Sequence, residues 1–128
     1  MSDLVGTWVP DLSTLELLRK RGGYDTSIQT SLVLNNDGRF KLVSMPDWWS
    51  DGFGESHRGF EEHAGMWTTS RYGENGIWQL ELRASSGTRF ANLIGQSNPY
   101  RLEFVVGDAD NNVSMIFTKQ SNHVGNGE

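Results

Sequence analysis

The 128-residue sequence contains no cysteine, no long apolar run and no excess of basic residues. Without cysteine there is no disulfide framework, no thiolate metal site and no cysteine nucleophile. The lack of an apolar run of about 20 residues argues against a transmembrane helix, and residues 1–4 do not begin a secretory signal. The net charge of −5 argues against a nucleic-acid groove, which needs a basic surface. We therefore expect a cytoplasmic protein with no nucleic-acid partner and no membrane partner.

The sequence does contain enough apolar material for a folded domain. Apolar residues make up 36% of the chain and charged residues 21%, as in globular proteins and unlike disordered ones. A length of 128 residues fits one domain with a substantial core. We predict a single domain over residues 1–120, followed by a polar, glycine-rich and disordered tail over residues 121–128.

One short helix is predicted to begin at Ser13 and to end immediately before Gly22. Ser13 and Glu16 have the spacing of a capping box, and Gly22 suits the position that follows a helix. Leu15 and Leu18 give the helix one apolar stripe. Because so short a helix is not stable alone, we expect this stripe to pack on the rest of the domain.

Most of the remaining sequence alternates apolar and polar residues with the period of two that is typical of β-strands. Eight strands are predicted, over residues 4–9, 27–34, 39–44, 61–71, 77–84, 88–94, 100–106 and 113–119. Eight antiparallel strands with mainly short connections favour closure into a barrel, since closure removes the exposed strand edges. The prediction is an all-β fold, an eight-stranded antiparallel up-and-down β-barrel with one short helix between strands 1 and 2. The alternative is a two-layer sandwich.

The first strand opens with Gly6-Thr7-Trp8, and a helix and a strand meander follow it. This order resembles the lipocalin-like (calycin) β-barrels, which include lipocalins and fatty-acid-binding proteins. The resemblance implies that Trp8 packs across the closed end of the barrel, under a basic residue of a late strand such as Lys119. The sequence differs from lipocalins in having no disulfide and no helix after the barrel. It differs from fatty-acid-binding proteins in having one helix where they have two.

Function is expected at one end of the predicted barrel. Connections in an up-and-down barrel alternate between its two ends, so the helix and the long segment of residues 45–60 share one end, the mouth. Long connections in compact domains are usually functional or disordered, and this one is rich in aromatic residues, which favours an ordered segment. Such a segment is a lid over the mouth, a satellite core in which Trp48 and Trp49 pack on the helix, or both. The predicted ligand-binding residues are Trp48, Trp49, Phe53 and His57 in this segment, with Trp67 and Tyr100 deeper in the barrel.

The predicted lumen contains many large side chains. The inward-facing candidates are Ile28, Leu32, Phe40, Leu42, Trp67, Trp78, Leu80, Phe90, Tyr100, Leu102, Phe104, Met115 and Phe117. An eight-stranded barrel is just wide enough to be filled by its side chains or to hold one small ligand. We therefore expect a partly filled lumen with a cavity near the mouth. His63 alternates onto the Trp67 face, where a structural histidine is favoured over a haem or metal ligand.

Three functions remain open at this point. The leading hypothesis is the binding of a small apolar or amphipathic molecule at the mouth of a lipocalin-like barrel. One alternative is a protein-interaction or inhibitor/immunity-type module that uses the Trp48–Trp49 segment to bind a protein partner. Another is a small barrel isomerase or cyclase with His57 or Glu55 as the proton carrier. No spacing matches a hydrolase or metalloenzyme motif, so binding is favoured over catalysis, with no catalytic residue, metal or cofactor assigned.

Overall fold

The computed structural model describes residues 4–47, 59–72, 76–95, 100–105 and 114–120. The described residues form eight strands: β1 (Gly6–Pro10), β2 (Ser31–Leu34), β3 (Arg39–Pro46), β4 (Phe60–Tyr72), β5 (Ile77–Ala84), β6 (Gly87–Ile94), β7 (Arg101–Val105) and β8 (Ser114–Lys119). Each strand pairs antiparallel with its neighbours in sequence, and β1 pairs with β8 to close a barrel. A helix, α1 (Leu12–Leu17), continues into a π-helical turn (Leu18–Gly22) between β1 and β2. The predicted fold class is confirmed.

The strand directions define two ends of the barrel. The helix end carries α1, the last residue of β3, the first residue of β4 and the short turn between β5 and β6. The turn end carries the β2–β3 turn, the end of β4, the start of β5 and the start of β7. As predicted, the strand ends that flank the long segment lie at the same end as the helix.

Buried side chains from all around the barrel form one core. The buried apolar residues on its strands include Trp8, Leu32, Leu34, Phe40, Leu42, Leu80, Leu82, Leu102, Phe104, Met115 and Phe117. The rings of Phe104 and Phe117 meet edge to face, with centroids 5.4 Å apart. Such a ring contact adds to the stabilisation that burial alone provides. The described side chains therefore fill a large part of the lumen.

Among the described residues, Trp8 is the largest fully buried side chain, with 0% of its surface exposed. Its indole Nε1 donates a hydrogen bond to the carbonyl oxygen of Leu4 at 2.9 Å, and Leu4 precedes β1 at the turn end. Lys119 of β8 is the register partner of Trp8. The Lys119 side chain passes so close to Gly6 that a Cβ there would lie 2.8 Å from its Cε atom. The first strand thus brings a buried tryptophan and a late basic residue together.

The helix begins one residue earlier than predicted, at Leu12, and its N-cap is Asp11. The Asp11 Oδ1 atom accepts hydrogen bonds from the Thr14 backbone amide at 2.8 Å and from the Ser13 hydroxyl at 3.0 Å. The predicted capping box at Ser13 is wrong, because Asp11 occupies the N-cap position. An aspartate caps a helix as well as a serine does. The left-handed residue after the helical segment is Gly23, at φ 71°, and not Gly22.

The predicted packing of the helix on the barrel is confirmed. Leu18 is buried, and Leu15 is partly buried against the core. Thr14 is also buried, and its hydroxyl oxygen accepts a hydrogen bond from the backbone amide of Ile116 in β8 at 2.8 Å. A polar contact that the apolar stripe did not indicate therefore fixes α1 to β8.

The second strand is shorter than predicted, and Ile28 lies outside it with 39% of its surface exposed. The Asp25 Oδ1 atom accepts hydrogen bonds from the Ser27 hydroxyl at 2.6 Å and from the Ser27 amide at 3.0 Å. These two bonds lower the pKa of the Asp25 carboxyl below its usual value. They also hold residues 25–28 in a turn, because an aspartate that bonds to the backbone two residues ahead favours a turn.

Two aromatic residues predicted to face inward are exposed. Phe90 is 50% exposed, because the inward face of β6 carries Ala91, which pairs with the buried Leu80. Both faces of β6 carry apolar residues, so alternation alone did not fix its orientation. Trp78 is 38% exposed near the turn end of β5, where the Arg71 guanidinium carbon lies 5.4 Å from its ring centroid.

Candidate functional site

A cavity of about 320 Å³ lies among β3, β4, β5 and β6. Its described lining residues are Phe40, Leu42, His63, Leu82, Ala84, Ser86, Gly87, Thr88 and Arg89. Ser86 lies in the β5–β6 turn, and Ala84 and Gly87 are the strand residues that flank this turn, so the cavity extends toward the helix end. This is the end at which the sequence predicted a mouth.

A row of small residues on β4, β5 and β6 leaves space in the lumen near the β5–β6 turn. Gly65 of β4 pairs with Ala84 of β5, and Ala84 pairs with Gly87 of β6. A Cβ atom at Gly65 would lie only 1.8 Å from the carbonyl oxygen of Arg83, so no other residue fits there. Three neighbouring strands thus contribute one methyl group and two glycines, which cannot fill the lumen. On the other side of Gly65 lies Phe40, its partner in β3, which forms part of the cavity wall.

Three polar side chains form a hydrogen-bonded chain at the edge of the cavity. His63 Nε2 lies 3.1 Å from Glu61 Oε1, and His63 Nδ1 lies 3.3 Å from Ser86 Oγ. Only 13% of the His63 side chain is exposed, against 34% for Glu61. Glu61 and His63 are two residues apart on β4 and therefore share one face of the strand. His63 links this face to the β5–β6 turn.

Arg89 supplies a positive charge to the same cavity. It pairs with the buried Leu82 across β5 and β6, which places it on the inward-facing side of β6. An arginine stays charged throughout the physiological pH range and presents a planar set of donors that matches carboxylate and phosphate groups. The cavity therefore combines an apolar wall with a cationic and hydroxyl-bearing edge.

Four of the predicted ligand-binding residues, Trp48, Trp49, Phe53 and His57, lie outside the described residues. The two residues that flank their segment are hydrogen-bonded to each other. The Asp47 amide donates to the Gly59 carbonyl oxygen at 3.0 Å, and the Gly59 amide donates to Asp47 Oδ2 at 3.1 Å. The Tyr24 hydroxyl donates to Asp47 Oδ1 at 2.6 Å. The base of the segment is therefore closed and tied to the chain that follows α1.

Trp67 and Tyr100 are described, but neither is among the cavity-lining residues. The Trp67 indole Nε1 donates to the Asn35 carbonyl oxygen at 2.8 Å, which attaches β4 to the β2–β3 turn at the turn end. Tyr100 is partly buried against the core immediately before β7, also at the turn end. Neither residue therefore lines the helix-end cavity, although Trp67 pairs with the lining residue Leu82.

Sequence reasoning did not single out Ser86, Thr88 or Arg89, and it treated His63 as structural. The signal for Arg89 was its alternation with Ala91 along β6, which puts both residues on one face. The exposed Phe90 obscured that signal, because a phenylalanine is the more usual inward residue. The contact between Ser86 and His63 has no sequence signal, since it depends on the register of β4 against β5.

Comparison of the chain with models of known families, with curated proteins and with solved structures gives no match. Within the described ranges, no three His, Asp or Glu side chains come together as a set that could hold a metal ion. In the same ranges, no helix has the length and apolar character that crossing a membrane requires.

Proposed function

We propose that this protein is a lipocalin-like barrel that binds a small amphipathic molecule in the helix-end cavity. The observation that carries the proposal is the cavity itself, whose volume of about 320 Å³ is at the lower end of the range for small-molecule sites. Its lining combines the apolar residues Phe40, Leu42, Leu82 and Ala84 with the polar residues His63, Ser86, Thr88 and Arg89, and small-molecule sites likewise use polar groups among apolar ones to orient a ligand.

The lining residues indicate how a ligand would be oriented. Phe40, Leu42 and Leu82 would contact its apolar part, which gains free energy as water leaves both surfaces. Arg89 would face its polar end. An acidic or carbonyl-bearing head group suits the arginine, because charge-assisted hydrogen bonds are the strongest in such a site.

The lipocalin-like part of the proposal is supported by the first strand and by the barrel. Trp8 is buried next to Leu4 at the turn end, with Lys119 as its register partner. That arrangement leaves the helix end for ligand entry. The protein-interaction alternative depends on Trp48 and Trp49, and the isomerase alternative on Glu55 and His57. No described contact favours either alternative, and both stay predictions.

The test is a fluorescence titration with 1-anilinonaphthalene-8-sulfonate, an apolar probe that carries one anionic group. Arg89→Gln removes the charge at the cavity edge and should weaken binding by about 10-fold, since charge-assisted hydrogen bonds contribute roughly 1.5–3 kcal/mol. Ala84→Phe fills the cavity and should abolish binding. Arg101→Gln is the matched control, because Arg101 is exposed at the turn end.

Circular dichroism of each variant would establish that the barrel is intact before the titrations are compared. Equal probe affinity in the parent, Arg89→Gln and folded Ala84→Phe would contradict the proposal, because the probe would then bind elsewhere. Loss of affinity in Arg101→Gln would contradict it as well.

A further inference from the structure

We propose that Ser86, His63 and Glu61 form a nucleophile relay and that the cavity hydrolyses small carboxylic esters through an acyl-serine intermediate. The three side chains are joined by contacts of 3.3 Å between Ser86 Oγ and His63 Nδ1 and of 3.1 Å between His63 Nε2 and Glu61 Oε1. Serine, histidine and carboxylate in this connectivity form the general arrangement in which a base activates a hydroxyl nucleophile.

The partners of His63 fix its tautomer in the neutral state. A carboxylate has no proton and only accepts hydrogen bonds, so the proton of the ring resides on Nε2 and is donated to Glu61. Nδ1 then carries the lone pair that faces Ser86 Oγ. The serine hydroxyl is a donor to this lone pair, which is the protonation pattern that a general base requires.

The surroundings of Ser86 leave room for a substrate. Ser86 is exposed in the two-residue turn between β5 and β6, and it lines the cavity together with His63. A Cβ atom built on the next residue, Gly87, would meet no other atom within 4 Å. Arg89 lines the same cavity and would stabilise negative charge that develops on the ester oxygen.

The reaction would proceed in two balanced steps. In the first, Ser86 Oγ forms a bond to the ester carbonyl carbon while His63 Nδ1 takes the hydroxyl proton. The bond between that carbon and the leaving oxygen then breaks, and the proton passes from His63 to the leaving alcohol. In the second, His63 takes a proton from water as the water oxygen attacks the acyl carbon. Ser86 leaves with that proton, and the product is a carboxylic acid.

Glu61 is a positioning residue in this scheme, since it touches His63 and not the substrate. Its negative charge stabilises the imidazolium that forms in each step and keeps the ring in the required tautomer. The proposal rests on the proposed function in one respect, because the acyl chain would occupy the cavity that binds the amphipathic ligand.

The experiment uses the full chain and p-nitrophenyl acetate and butyrate as substrates. We expect release of one p-nitrophenolate per chain before steady state, and intact-protein and peptide mass spectrometry should place the acyl group on Ser86. Ser86→Ala and His63→Ala should each lower the rate by roughly 10²–10⁴-fold, the usual effect of losing a nucleophile or its base. The matched control is Ser85→Ala, on the same turn, which should leave the rate unchanged.

Glu61→Gln separates positioning from folding. The amide keeps the size of the side chain and loses its charge, so kcat should fall while KM and the melting temperature stay as in the parent. A fall in melting temperature with an unchanged kcat would assign Glu61 a structural role and contradict the relay.

The relay would be wrong if Ser86→Ala hydrolysed the esters at the parental rate, or if the acyl group were found on another residue. A parent without hydrolysis above the rate in buffer would also contradict it. The anilinonaphthalene titration separates this failure from failure of the proposed function. If the parent does not hydrolyse esters but binds the probe, and Arg89→Gln weakens that binding, the relay is wrong and the binding proposal stands. Acylation of Ser86 in a protein that does not bind the probe would support the relay and refute the binding proposal.

Discussion

Replacement of Trp8 by alanine should destabilise the barrel more than replacement of an exposed aromatic residue. Trp8 is fully buried, and truncation of a large aromatic side chain in a core costs about 3–5 kcal/mol. The truncation also removes the donor to the buried Leu4 carbonyl oxygen. At roughly 0.05–0.15 kcal/mol per residue, a chain of 128 residues has a total stability of about 6–19 kcal/mol, so the loss is a substantial fraction.

Two further variants divide this cost into its parts. Trp8→Phe keeps a ring in the lumen but lacks the Nε1 donor, so it should cost about 1–3 kcal/mol. Phe90→Ala is the control, because half of that ring is exposed, and it should cost about 1 kcal/mol. Urea unfolding followed by circular dichroism measures all three. With a slope of about 1–3 kcal/mol per molar, Trp8→Ala should lower the midpoint by about 1 M or more.

Equal midpoints for Trp8→Ala and the parent would refute the assignment of Trp8 to the core. A cost for Phe90→Ala as large as that for Trp8→Ala would refute the inferred orientation of β6. If Trp8→Ala kept the parental stability and lost probe binding, the turn end would be the open end of the barrel, and the ligand site would lie there.

Three other substitutions test contacts at the helix end and in the sheet. Asp11→Ala should lower the free energy of unfolding by about 1 kcal/mol through loss of the helix cap, whereas Ser13→Ala should leave it almost unchanged. A larger loss for Ser13→Ala than for Asp11→Ala would show that Ser13 is the N-cap. Gly65→Ala should lower the free energy of unfolding by about 4 kcal/mol or more, because its Cβ would collide with the β5 backbone. A folded variant with the stability of the parent would show that β4 and β5 can move apart at this position. Tyr24→Phe should cost about 1.5–3 kcal/mol by removing the hydrogen bond to the Asp47 carboxylate, and an unchanged melting temperature would mean that water replaces it.

The barrel could be predicted because its signals are local. Alternation along single strands and turn-forming sequences such as residues 35–38 act over a few positions, and the structure reproduces β5 with both of its predicted limits. The errors arose where two local signals competed. At the start of the helix, Asp11 and Ser13 are both good caps, and in β6 both faces carry apolar residues. Tertiary contacts decide such cases, and these contacts have no short-range signature.

The candidate site could not be predicted for the same reason. His63 and Ser86 come together because Gly65 pairs with Ala84, which sets the position of the β5–β6 turn relative to β4. A shift of that register by one residue would turn the alternating side chains of one strand to the opposite face. The cavity likewise depends on which small residues become neighbours across three strands. Sequence patterns predicted a functional region at the helix end but not the residues that line the cavity there.

The paired Asp47 and Gly59 have a consequence for how this barrel can vary. Their two hydrogen bonds join the chain on either side of the intervening segment, so the strands on both sides are held in place whatever that segment contains. Each doubling in length of a flexible loop costs only about 0.6 kcal/mol in closure entropy. Segments of different length and composition can therefore be grafted between these two residues while the barrel keeps its fold. The same scaffold could in this way acquire a different specificity at its helix end.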